Sequence, residues 1–146
     1  MAIRKVTFDT NVFVDYDAAY FPAGFLMSAV VMQELAAGAL DTSRLKELEI
    51  ARRRYLKEGR LLVPDSEDWL QAGKILNSMY RGTATNNRGR RVKIDRETQR
   101  RILRDVLIAR TALMAKATVV TADVSDFEMI QAYCSVRVEA AANFFA

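Results

Sequence analysis

Apolar and polar positions follow two rhythms along this chain. Short apolar runs at residues 6–8 (VTF), 25–28 (FLMS), 60–65 (RLLVPD), 118–121 (TVVT) and 136–140 (VRVEA) read as strands, the third ended by Pro64. Between them, apolar residues recur three and four positions apart, the spacing of a helix face. Residues 11–19 read as a short helix, and Ser28 is placed to cap a second one running to about Leu40. The strongest helical pattern covers residues 41–59, with Leu45, Leu48, Ala51, Tyr55 and Leu56 on one face and Gly59 as the stop. Residues 66–80 form another, capped by Asp65 or Ser66, with Trp69, Ala72, Ile75, Leu76 and Met79 directed inward. A long helix is predicted from about Asp95 to Lys116 and a short one from Ser125 to about Tyr133. The one clear loop is RGTATNNRGRR, residues 81–91.

Strands alternate with helices almost throughout. That order predicts an α/β fold: a three-layer α/β/α sandwich around a mainly parallel sheet of about five strands. No repeat, low-complexity tract or linker divides the 146 residues, so a single domain, 1–146, is expected. In such sheets, sites form outside the carboxyl ends of the strands.

Composition narrows the chemistry. The chain has no histidine, which removes imidazole acid–base catalysis, Ser-His triads and His-ligated zinc. Its single cysteine, Cys134, has no internal disulfide partner. No apolar run is long enough for a membrane span, and the first residues lack the apolar region of a signal peptide. A cytoplasmic protein without a membrane role is expected. The net charge of +4 suits a polyanionic partner without requiring one.

Five acids stand against the local pattern. Asp9 ends the first strand and Asp123 the fourth, with Asp126 three residues further on. Glu34 projects from a helix face whose neighbours are Val30, Val31, Ala37 and Gly38. Asp105 lies mid-helix, where Asp is a poor residue, among Ile102, Ile108 and Ala109. Taken singly, each has an ordinary explanation. Asp9, Asp123 and Asp126 suit turns or helix caps, Glu34 a rim, and Asp105 an ion pair with Arg101 or Arg104. Taken together, the alternating topology can bring all five to one sheet edge. Two carboxylates about 4 Å apart repel by roughly 4 kcal/mol at an effective dielectric of about 20. Protons or a cation must relieve such a cluster. An all-oxygen donor set selects a hard ion, Mg²⁺ or Mn²⁺. Such an ion can activate water and stabilise charge on a phosphoryl group.

Four blocks of the chain resemble PIN-domain nucleases, most of all the VapC toxin type. FDTN resembles the opening strand and its Asp-Thr/Ser-Asn/Ser signature, SAVVMQEL the segment that supplies a glutamate, DVLIARTA the helix with an acid before small residues, and VVTADVSDF the closing Thr-x-Asn/Asp-x-x-Asp-Phe pattern. The blocks occur in family order over nearly the whole chain. By position, the resemblance assigns Asp9, Glu34, Asp105, Asp123 and Asp126 to an acidic metal cluster, leaving open whether Asp123 or Asp126 is the direct ligand. Thr10, Asn11 and Thr121 become its polar supports. It implies a PIN-like sandwich, Mg²⁺- or Mn²⁺-dependent endoribonuclease activity on substrates such as tRNA or ribosomal RNA, a homodimer, and an antitoxin partner. The segment 81–94 is longer and more basic than the family requires. Two other functions remain open. A haloacid-dehalogenase-like phosphatase would use Asp9 as nucleophile but needs a second Asp where Asn11 stands. A non-catalytic module binding RNA or an antitoxin would keep the fold alone.

Candidate substrate contacts lie in a basic run. Eight basic residues fall between Arg88 and Arg104, opposed only by Asp95 and Glu97. Of these, Arg88, Arg90, Arg91 and Lys93 are the expected phosphate contacts. With the five candidate acids set aside, 13 acids face 22 bases over the rest of the chain. The second basic run, residues 51–60, reads as a solvated helix face, and Phe144 and Phe145 as core.

Overall fold

The computed structural model describes residues 4–83 and 95–146. The expected phosphate contacts Arg88, Arg90, Arg91 and Lys93 lie outside the described residues, as does most of the predicted loop.

Five short parallel strands carry the fold: β1 (Val6–Phe8), β2 (Met27–Ser28), β3 (Leu61–Leu62), β4 (Thr118–Thr121) and β5 (Arg137–Ala140). They form a three-stranded sheet ordered β1-β4-β5 and a pair β2-β3, joined by a Thr7–Leu26 bridge. Leu26 N donates to Val6 O at 2.9 Å, so the two pieces continue one another. The helices are α1 (Thr10–Asp15), α2 (Ala29–Ala37), α3 (Thr42–Lys57), α4 (Ser66–Thr83), α5 (Arg96–Met114), α6 (Val124–Gln131) and α7 (Ala141–Phe144). The expected α/β/α sandwich with a parallel five-strand core is present. Among the described residues, no helix is long and apolar enough to cross a membrane.

The chain steps outward from β1 through β2 to β3, then returns to the other side of β1 for β4 and β5. The direction of winding therefore reverses between β1 and β4, the point at which folds of this kind form a crevice at the carboxyl ends of the strands. Period-two alternation sorts their side chains. Val6, Phe8 and Val120 enter one core with Val12, Phe21 and Ala141. Val119 enters the other, with Ala109, Phe127 and Ile130 of the helices on the opposite face. Phe144 and Phe145 complete the first core as expected: Phe145 stacks on Tyr16 at 4.6 Å between ring centroids, and Phe144 meets Phe8 edge-on at 5.5 Å.

Several predicted boundaries shift for local reasons. The first helix breaks at Asp15, because Asp17 caps a separate 3₁₀ turn, Ala18–Tyr20, by accepting from Ala19 N. The second stops at Ala37, with Gly38 as its C-cap. The fourth runs through Thr83, so residues 81–83 are helical rather than loop. Asp65 and Asp68 cap its start reciprocally, each carboxylate accepting from the other's backbone N–H at 2.8 and 3.0 Å. Leu48 and Tyr55 of α3 and Ala72 and Met79 of α4 are buried as expected, but Leu45, Leu56 and Trp69 are exposed. Their helices present only a narrow stripe to the core.

Candidate functional site

Asp9 follows β1, and its N–H donates to Val120 O at 2.9 Å, pinning it to the neighbouring strand. One carboxylate oxygen accepts from Thr10 N and the other from the Thr121 hydroxyl, both at 2.8 Å. It thus caps α1 and faces the crevice at once, so the cap and cluster explanations are not rivals. Only 8% of Asp9 is exposed. Burial raises its pKa, the bonds from Thr121 and Thr10 oppose that, and Asp126 and Asp123 add repulsion.

Thr121 is the junction of the two strand ends. Its hydroxyl donates to Asp9, accepts from Asp123 N at 3.1 Å, and lies 3.5 Å from the Asn11 amide nitrogen. That fills its one donor and two acceptor positions. The Asn11 carbonyl accepts from Ala122 N at 3.1 Å, so Asn11 ties α1 to the turn after β4. The third expected support differs: the Thr10 hydroxyl is buried without a hydrogen bond of ordinary geometry, although it lies close enough to Glu34 to lower that group's pKa.

Glu34 reaches the crevice from α2. Burial raises its pKa, Arg104 and Thr10 lower it, and Asp9 repels it. Arg104 Nε stands 3.9 Å from a Glu34 oxygen. Arg104 thus pairs across two helices with Glu34, and Asp105 forms no ion pair within 4.0 Å among the described residues. Asp105 is the most perturbed of these acids. Burial pushes its pKa to about 8, reinforced by repulsion from Asp9, Asp126 and Glu34 and opposed by Arg101. At neutral pH it therefore holds a proton most of the time.

The two closing acids differ. Asp123 is exposed and accepts from the Ser125 hydroxyl at 2.6 Å. That bond chiefly lowers its pKa, with help from a hydrogen bond with Asp126. Asp126 is partly buried; its pKa rises through burial and then the Asp123 charge, opposed by Arg101. Asp126 repels both Asp9 and Asp105, and Asp123 repels Asp9 and Asp126. Asp9, Glu34, Asp105 and Asp126 are the buried or partly buried members of the group, and the exposed Asp123 is on its rim. Ser125, Arg101 and Arg104 complete the surroundings. The two arginines were legible as part of a basic run and as candidate ion-pair partners of Asp105, and Ser125 only as a polar residue in DVSDF.

The donors are all oxygen, and the charge needs a counterion, which fits a hard divalent cation. Among the described residues, however, no three acidic side chains already stand as a complete metal-ligand set. The arrangement is a neighbourhood of repelling carboxylates, eased by the proton on Asp105, by Arg104 and by Arg101.

A family model described as PIN domain matches residues 6–130. No curated protein matches the chain significantly. Among solved structures, VapBC-1 from nontypeable Haemophilus influenzae is similar over 92% of this chain and 96% of that one, with a TM-score of 0.55 and 20% identity. FitAB bound to the IR36 DNA fragment is similar over 92% and 94%, with a TM-score of 0.52 and 19% identity. At these identities the likeness is one of fold.

Proposed function

Since this chain belongs to the PIN-domain family, we propose that it is a Mg²⁺- or Mn²⁺-dependent endoribonuclease of the VapC toxin kind. The observation that carries the proposal is the mutual repulsion of Asp9, Glu34 and Asp126 with Asp105, drawn from four separate elements to one strand edge. Asp9, Glu34, Asp105 and Asp126 would hold the ion, with Asp123 contributing from the rim. Once bound, the ion supplies Lewis acidity toward water and the phosphodiester.

The chain's own groups do the rest. Thr121 and the Thr10 N–H fix both oxygens of Asp9, so its orientation is set before any ligand arrives. Asn11 holds the two strand ends at fixed separation. Asp105 must release its proton to become a ligand, which ties cation affinity to pH. Arg104 and Arg101 flank the acids and are available for the phosphates on either side of a scissile bond.

Asn11 weakens the phosphatase alternative. It occupies the place where that chemistry needs a second acid, and its amide is committed to Ala122 N and Thr121. The VapC resemblance extends the proposal to a homodimer and to an antitoxin partner covering the crevice.

The test is RNA cleavage with Mn²⁺, with EDTA, and with Asp9→Asn. Cleavage that needs Mn²⁺ and falls at least roughly 100-fold in Asp9→Asn supports the proposal. Cleavage that survives both EDTA and the substitution overturns it.

A further inference from the structure

At the opposite, amino-terminal edge of the same sheet lies a cavity of about 530 Å³ that the proposed chemistry does not use. Arg4 and Lys5 before β1, Lys116 before β4, and Ser135 and Arg137 at the start of β5 line it. Among the described residues, no carboxylate lines it. Arg4 is paired with Glu139. Lys5, Lys116 and Arg137 are exposed and form no ion pair among the described residues. The three stand before or at the start of adjacent strands in the order β1-β4-β5, on staggered levels: the register pairs Val6 with Thr118 and Thr118 with Arg137, so Arg137 is on that level, Lys5 one residue before it and Lys116 two.

Lys116 occupies its place against local preference. The end of α5 closes with Ala117 N donating to Ala112 O at 2.8 Å and Lys116 N to Leu113 O at 3.0 Å. This pair of bonds defines a turn whose pivot is left-handed and usually glycine. The end of α3 makes the same two bonds, Arg60 N to Tyr55 O and Gly59 N to Leu56 O, and there the pivot is Gly59, at φ +68°. At α5 the pivot is Lys116, at φ +57°. Lys116 is exposed and holds a backbone conformation that glycine would adopt without strain. Its effect is to add a cation to this edge.

We propose that this edge is a second nucleic-acid contact, at which Lys5, Lys116 and Arg137 hold consecutive phosphates of a strand. Separated cations staggered across three strand ends suit a run of phosphates better than one small anion, which calls for converging donors. An acidic protein partner is less suited, since among the described residues Leu113 and Ala117 are the only apolar ones lining the cavity and no aromatic anchor is present. Four residues of buried strand separate Lys5 from Asp9, roughly 13 Å through the core, so an RNA that engages both edges has to run round the outside of the sheet over a longer path than that. The inference rests on RNA being the substrate, but not on cleavage.

The test is binding of a nuclease-resistant 2′-O-methylated RNA over a range of salt. The variants are Lys116→Gly, which the turn favours, and the triple change Lys5→Gln, Lys116→Gly and Arg137→Gln. The proposal expects unchanged or higher thermal stability for Lys116→Gly, with weaker RNA binding. In the triple variant, the slope of log K against log salt should fall by about 2, at roughly 0.7 per lost contact on a single strand. A wild-type slope in the triple variant overturns the inference. So does a loss that appears only for inorganic pyrophosphate or for a polyglutamate peptide, which would assign the edge to a free anion or an acidic protein. The two proposals fail separately: RNA binding with the expected slope change but no Mn²⁺-dependent cleavage sinks the nuclease, whereas cleavage with an unchanged slope sinks only the second contact.

Discussion

Asp105 concentrates the electrostatic strain of the crevice. Its pKa of about 8 in the folded chain, against 3.8 ordinarily, means that the folded state holds a proton which the unfolded state has already lost across that interval. Stability contributed by this proton is complete below about pH 4, falls as pH rises through that window, and is gone above about pH 8. Asp105→Asn removes the charge while keeping the shape. It should leave stability nearly unchanged at pH 4 and raise it at pH 8 by about a few kcal/mol, since each pKa unit is worth about 1.4 kcal/mol. Urea unfolding at the two pH values measures this, and equal stabilities at pH 8 would contradict it. Thr121 tests the opposite case, a buried carboxylate that is well held. Thr121→Val leaves one Asp9 oxygen without its donor and should cost about 1–3 kcal/mol, while Thr121→Ser should keep most of the stability. Asp9 was legible in the sequence as a misplaced charge. Its partner Thr121 lies 112 residues away, so the bond that makes the charge tolerable was legible only through family resemblance.

Helix ends were the most readable elements. Ser28 caps α2 through Val31 N, and Asp95 caps α5 through Thr98 N at 2.7 Å. Gly59 ends α3 in the left-handed region. Gly59→Ala should therefore destabilise the protein by about 1–2 kcal/mol in a thermal melt, although nothing would obstruct the added methyl group. The opposite sign expected for Lys116→Gly tests the same turn chemistry. Helix faces were less readable. Leu45, Leu56 and Trp69 fit the apolar spacing yet are exposed, because spacing shows which residues share a face and not how much of it a neighbour covers. Arg110 Nε and Asp68, 2.9 Å apart, link α5 to α4 across 42 residues. Nothing local marks that pair, since Asp68 also serves as a cap. Arg60 belongs to the run predicted as solvated, yet it lies 5.0 Å from the centroids of both Phe25 and Tyr55 and donates to Phe25 O at 2.9 Å. A cation between two rings from distant segments is a tertiary outcome that charge counting does not find.

Across the whole molecule, the alternation of strands and helices was enough to foresee a parallel sheet with acids at its carboxyl edge. The winding reversal between β1 and β4 explains why that edge, and not another, gathers them. The sheet's two edges carry opposite charge: carboxylates where β1 and β4 end, and Lys5, Lys116 and Arg137 where β1, β4 and β5 begin. The basic edge was not legible, because its residues are scattered and only strand pairing brings them to one edge. In the proposed function, carboxylates from four separate elements share one divalent cation. Calorimetric titration of Mn²⁺ into the wild-type chain, Asp9→Asn and Asp105→Asn tests it most directly. Wild-type affinity should rise with pH and level off above about pH 8, as Asp105 gives up its proton. Each substitution should weaken binding by roughly tenfold or more. Affinity that is independent of pH and equal in all three chains would contradict the claim.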